Sequence, residues 1–273
     1  MTHGLTTGTR GLRSLVASAG LPPGTLVDRT VLGRLPEPLL WRADGPAGPD
    51  DWSRMLPVRD ATGLWPVLLG AHVRGTAVED DLLPGAGAGE ADGVDAAGAL
   101  AAWWREHAAR EPAGETSGEV PALRPYGRRW PGPARPAPGA GDPDAAAAGA
   151  ARALVARSTL RDPRIALVLA GRSADVPAAI GWAGTLAYGG HTAPFGAVLR
   201  SWEERFGTRL VALEPDVLHL SVPAPPRTAA EALPVAAEHY AFCPAVVRQG
   251  AGSLARYAER WLAGRSVWSF WWD

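Results

Sequence analysis

The chain has 273 residues, 47% of them hydrophobic and 20% charged, and a net charge of −1. This supports a full core and excludes global disorder, a strongly basic nucleic-acid binder and an acidic solvating chain. All 27 cations are arginine, so a P-loop lysine, a Schiff-base lysine and a lysine general base are excluded as well.

Composition divides the chain into an N-terminal α/β part (1–110), a linker or strap rich in Pro, Gly and Ala (111–144) and a C-terminal domain (145–273). In the first part, residues 38–41 form a short strand candidate. Asp50 or Asp51 can cap a helix running through Trp52, Met55, Leu56 and Arg59. The run Leu64-Trp65-Pro66-Val67-Leu68-Leu69 reads as a buried strand with Pro66 at its start or on a sheet edge. Residues 79–93 form a Gly-rich acidic loop. A helix over 94–110 carries Leu100, Trp103, Trp104 and His107 on its heavier face.

The C-terminal domain begins with an Ala-rich helix at 145–157, started by Asp142 or Asp144. Residues 165–170 are a continuous apolar strand and 176–182 a turn or two of helix. Phe195, Val198, Leu199, Trp202 and Phe206 recur at helical spacing, and Gly207 ends that helix. Strands at 209–213 and 217–222 make a hairpin over Glu214-Pro215-Asp216. Thr228 and Glu231 form a capping box for a helix to about Cys243, with Pro234 kinking it or resetting its start. Ser253 caps a last helix with Leu254, Tyr257, Ala258, Trp261 and Leu262 inward, and 267–272 is a final strand. Strand, helix, strand, strand, helix, strand is the order of a ferredoxin-like split β-α-β domain. The expectation is therefore an α+β protein whose first and last C-terminal strands pair near the sheet centre, with the smaller N-terminal part packed on it.

Several stretches resemble the bacterial family called domain of unknown function 4253. They are Gly181-Trp182, Val198-Leu199-Arg200-Ser201-Trp202-Glu203, Arg205-Phe206-Gly207, Leu220-Ser221-Val222, Ala236-Ala237-Glu238-His239, Phe242-Cys243-Pro244, Gln249-Gly250 and Trp268-Ser269-Phe270-Trp271-Trp272-Asp273. They span 163–273, and Thr62-Gly63-Leu64-Trp65-Pro66 is similar to the N-terminal extension of actinobacterial members. The family pattern usually places an acidic residue after Cys-Pro, where this chain has Ala245. The resemblance implies no activity.

The candidate functional residues are Arg200, Trp202, Glu204, Glu238, His239, Cys243 and Asp273. His239 and Cys243 lie four apart on one helix face, the spacing of a metal pair or a reactive couple. The bland alternative is a backbone-bonded histidine and a small buried cysteine, since the helix C-terminus disfavours a thiolate. Arg200 and Glu204 can pair at i,i+4 across a solvated face, with Trp202 in the core. Trp268, Phe270 and Trp272 face one side of the last strand and Val267, Ser269 and Trp271 the other, as core or as an aromatic docking surface. Asp273 can clamp an arginine such as Arg265 or be solvated. Arg124, Arg128, Arg129 and Arg135 with Tyr126 and Trp130 read as a packed strap rather than a nucleic-acid site.

Gly85-Ala86-Gly87-Ala88-Gly89-Glu90 lacks the third glycine of a dinucleotide fingerprint, and Gly171-Arg172-Ser173-Ala174-Asp175 is not a nucleophile elbow. No cofactor and no metal centre is expected. The apolar runs are too short for a membrane span, no signal-type apolar core opens the chain, and one cysteine fits a reducing cytoplasm. The favoured function is a cytoplasmic binding module with a protein partner and without catalysis. The alternative is a small enzyme or ligand sensor using Glu238, His239 and Arg200 around a cleft.

Overall fold

Alternation of apolar residues along two strands sets the architecture. In β5 (Leu64–Leu69), Leu64 and Leu68 face one side while Val67 and Leu69 face the other. In β6 (Arg164–Leu169), Ile165 and Leu167 oppose Ala166 and Val168 in the same way. Strands apolar on both faces must be covered on both faces. A computed structural model describes residues 11–72, 74–84, 91–113, 120–136, 141–188 and 192–272.

The order is α1 (Leu12–Ser18), β1 (Gly24–Val27), β2 (Arg29–Thr30), β3 (Gly33–Arg34), β4 (Leu40–Ala43), α2 (Asp51–Arg54), α3 (Leu56–Thr62), β5 and α4 (Ala96–Arg110). Then come α5 (Pro143–Ala156), β6, α6 (Val176–Ile180), α7 (Thr192–Phe206), β7 (Arg209–Leu213), β8 (Val217–Ser221), α8 (Ala229–Phe242), α9 (Pro244–Arg248), α10 (Leu254–Tyr257) and β9 (Val267–Trp271). The strands form a mixed seven-stranded sheet, β1-β4-β6-β5-β7-β8-β9, and a small β2-β3 ribbon. Only β5 and β7 pair parallel; every other pair in the large sheet is antiparallel. One face carries α4, α7 and α8, through Trp104, Phe195, Trp202, Tyr240 and Phe242. The other carries α1, α2 and α5, through Leu12, Trp52, Ala147 and Leu154.

This α+β architecture departs from the expected ferredoxin-like order. β6 and β9 do not pair; β5 stands between β6 and β7, and β9 closes the sheet at its edge. The N-terminal part does not pack on a finished C-terminal sheet, because it supplies β1, β4 and β5 to the same sheet. Pro66 sits inside a central strand, not at its start. It is tolerated because β7 joins β5 only at Leu68 and Leu69, so the side of Pro66 away from β6 carries no ladder.

The predicted helix over 51–59 is two short helices meeting at Met55. Asp142 caps α5, accepting from the Asp144 N–H at 2.9 Å, and Thr228 caps α8, accepting from the Glu231 N–H. The Glu231 carboxylate accepts from Arg227 N, one residue before the position a capping box requires. The last helix is not uniform either. After α10 the chain widens into a π-turn over Ala258–Leu262, which rotates Trp261 outward to 49% exposure instead of inward.

Candidate functional site

Of the residues that sequence reasoning singled out, Trp202, Glu238 and His239 meet in the core, whereas Arg200, Glu204 and Cys243 have other partners. Glu238 on α8 is fully buried and its two carboxylate oxygens are saturated. They accept from Arg205 at 2.8 and 2.6 Å, from the Trp202 indole at 2.6 Å and from the Ala134 backbone N–H at 2.5 Å. Arg205 also donates to the Ala134 carbonyl at 2.8 Å, so the strap is gripped at one residue by both partners. Trp202 is a core residue stacked on Phe270 at 5.3 Å.

His239, next along α8, points into an aromatic cage of Trp202, Trp268 and Phe270. Its Nδ1 meets the Tyr257 hydroxyl at 3.1 Å, and burial alone holds its pKa well below the ordinary histidine value. Burial first, and the nearby Cys243 second, push the Tyr257 hydroxyl pKa up. Cys243 is buried and donates its thiol to the Trp271 carbonyl at 2.9 Å. His239 Nδ1 and the Cys243 thiol therefore meet different partners. Among the described residues, His239 Nε2 is buried without a hydrogen-bond partner, and no three His, Cys, Asp or Glu side chains converge on a metal position.

Arg200 lies elsewhere, paired with Asp175 at 2.6 Å and with Asp92. Glu204 pairs with Arg172 at 2.8 Å and not with Arg200. The proposed cleft of Glu238, His239 and Arg200 does not form: one is locked to Arg205, one is caged and one faces two aspartates. Asp273 lies outside the described residues, as does the stretch Gly85-Ala86-Gly87-Ala88-Gly89-Glu90.

A cleft of about 1170 Å³ lies instead along the outer edge of β9, between α5 and the α10–π-turn segment. Its α5 wall is Ala146, Gly149, Ala150 and Ala153, so the Ala-rich helix leaves space where larger side chains would fill it. The floor is β9. Trp272 N donates to Asp216 O and Val222 N donates to Ser266 O, which fixes the phase of the β8–β9 ladder. Antiparallel alternation then turns the backbone N–H and C=O groups of Val267, Ser269 and Trp271 away from β8. The Trp271 carbonyl takes the Cys243 thiol, while Val267 and Ser269 open into the cleft. Arg157, Arg260, Arg265 and the half-exposed Trp261 rim it, with Glu259 as the one acidic lining residue. A second cavity of about 780 Å³, between the strap and the start of α8, is lined more by prolines than by any other residue type.

Beneath the cleft the β8–β9 end of the sheet face that meets α5 carries polar side chains, His219, Ser221 and Ser269. His219 on β8 is buried and stands directly opposite Ser269 on β9. Its Nδ1 is 2.8 Å from Ser269 Oγ, and its Nε2 is 3.3 Å from Glu214 Oε1. Sequence reasoning did not connect these residues. The available signal was a single polar residue between apolar neighbours, Leu218-His219-Leu220 and Trp268-Ser269-Phe270, in strands buried on their other face.

Residues 164–273 match the family model described as Domain of unknown function (DUF4253), in line with the resemblance over 163–273. This segment carries β6 to β9 and α6 to α10, whereas β5 and the α5 wall of the cleft come from outside it. No curated protein and no solved structure matches the chain. No helix among the described residues is long and apolar enough to cross a membrane.

Proposed function

We propose that the protein is a binding module that takes an extended, acidic segment of a protein partner by strand addition along β9. The observation that carries this reading is the open backbone edge at Val267 and Ser269 on the floor of the cleft. An unpaired edge is a template for another strand, and main-chain hydrogen bonds supply affinity while side-chain pockets supply selectivity. Arg157, Arg260 and Arg265 have no carboxylate partner among the described residues, and with one acidic neighbour they select a negatively charged segment. The buried Cys243 thiol fits the reducing cytoplasm, where we place the module.

The test is fluorescence anisotropy with a labelled, N-acetylated hexapeptide alternating glutamate and valine, joined to amide hydrogen exchange. Binding is expected, with slowed exchange at Val267 and Ser269. Ser269→Pro removes an outward N–H without touching the β8 ladder, and it is expected to weaken binding at least tenfold. Equal binding by folded Ser269→Pro overturns the reading. So do edge amides already protected in the free protein together with a dimer in sedimentation, since a second copy would then occupy β9.

A further inference from the structure

The same cleft exposes a hydroxyl with the partners of an activated nucleophile. We propose that Ser269 is a nucleophile toward carboxylic esters bearing an anionic end, with His219 as its general base and Glu214 as the carboxylate that positions His219. This goes beyond peptide binding and rests on side-chain geometry, not on the strand edge. Ser269 Oγ lies 2.8 Å from His219 Nδ1, inside the range for proton transfer, and Glu214 Oε1 lies 3.3 Å from Nε2. A carboxylate can only accept, so Nε2 carries the proton and Nδ1 faces Ser269 as an acceptor. His219 and Glu214 are both largely shielded, with side-chain exposures of 5% and 15%, while Ser269 lines the open cleft. Three groups on two strands and one turn are thus brought together by the β8–β9 register, in the nucleophile–base–orienter arrangement that recurs on unrelated folds.

In the reaction Oγ attacks the ester carbonyl carbon and an Oγ–C bond forms. The Oγ proton passes to His219 Nδ1. As the C–O bond to the alcohol breaks, His219 returns that proton to the departing oxygen. Water then attacks the acyl-serine, giving its proton to the same imidazole, and the carboxylic acid leaves as Ser269 Oγ is reprotonated. Arg157, Arg260 and Arg265 at the rim hold the anionic end.

The experiment is labelling of the full chain with a fluorophosphonate probe, read by intact mass and peptide mapping, beside hydrolysis of p-nitrophenyl hemisuccinate. Serine oxygen displaces fluoride from phosphorus, so one adduct is expected, at Ser269. Ser269→Ala abolishes it, and His219→Gln slows it about 10²-fold or more, the low end of a general-base contribution. Glu214→Gln keeps a hydrogen-bonding group but loses the charge, and it shifts the pH–rate profile to lower pH. No adduct at Ser269 of the wild-type protein overturns the proposal, and this readout does not depend on any variant folding. Equal labelling rates in wild type and folded His219→Gln also overturn it. Hexapeptide binding without labelling sinks this inference alone; labelling without hexapeptide binding sinks the strand-addition reading alone.

Discussion

Arg205 and Glu238 form a two-pronged ion pair that joins α7 to α8 and holds the strap at Ala134 between them. Glu238 is wholly buried and Arg205 nearly so, at 16% side-chain exposure. Burying a carboxylate costs several kcal/mol unless every lone pair is met, and here four donors meet it. Removing one partner leaves the other charge uncompensated. Glu238→Ala is expected to destabilise the fold by about 3–5 kcal/mol, read by urea unfolding with tryptophan fluorescence. A loss below about 1 kcal/mol would show that the pair is not what holds these helices.

The Trp202 indole is a separable part of that network. Trp202→Phe keeps the stack on Phe270 but removes the 2.6 Å bond to Glu238. Hydrogen bonds to charged groups contribute about 1.5–3 kcal/mol, so a loss of that size is expected. In the Glu238→Ala background the same substitution is expected to cost much less, and a double-mutant cycle measures the coupling. Additive losses would place the contribution of Trp202 in packing alone.

His239 makes the fold sensitive to acid. Its folded-state pKa is depressed by burial, so below about pH 6.5 the unfolded chain binds a proton that the folded chain refuses. Stability is then full above that pH and falls as the pH drops, by at most about 1.4 kcal/mol per pH unit for this group. His107, depressed chiefly by burial on α4, acts in the same direction. The melting temperature is expected to fall from about pH 6.5 downward, with a shallower slope in His239→Gln. An unchanged slope in that variant would assign the acid sensitivity to other groups.

What the sequence showed and what it hid follow from the range of the interactions. The strands at 165–170, 209–213 and 217–222 and the helix from Thr192 to Gly207 were legible because local periodicity and capping specify them. The insertion of β5 between β6 and β7 was not, since strand order is fixed by pairings far apart in sequence. The same holds for the cleft residues. Glu238 and His239 stand out as polar residues on an apolar helix; Glu238 is a fully satisfied core group, and His239 is a core histidine bonded through Nδ1 alone. His219 and Ser269 become neighbours only through a register between strands separated by three helices. The outward turn of Trp261 depends on one π-turn, which inserts a residue into a helical pattern that otherwise predicts burial.

Trp261 gives the cleft its largest exposed aromatic, and its exposure separates binding from folding. A half-exposed tryptophan on a rim contributes little to the core, so Trp261→Ala is expected to change stability by about 0.5 kcal/mol or less. Tryptophan and arginine are the side chains that most often dominate binding energy at an interface. The same variant is therefore expected to weaken hexapeptide binding by about tenfold or more, equivalent to about 1.4 kcal/mol. Arg260→Gln and Arg265→Gln are expected to act differently, slowing association and flattening its salt dependence, because rim charges steer encounter more than they hold the complex. Stopped-flow association at two ionic strengths distinguishes the two effects. If Trp261→Ala binds the hexapeptide as tightly as wild type while the arginine variants lose all binding, the contact is a surface ion-pair encounter and β9 is not where the partner strand lies.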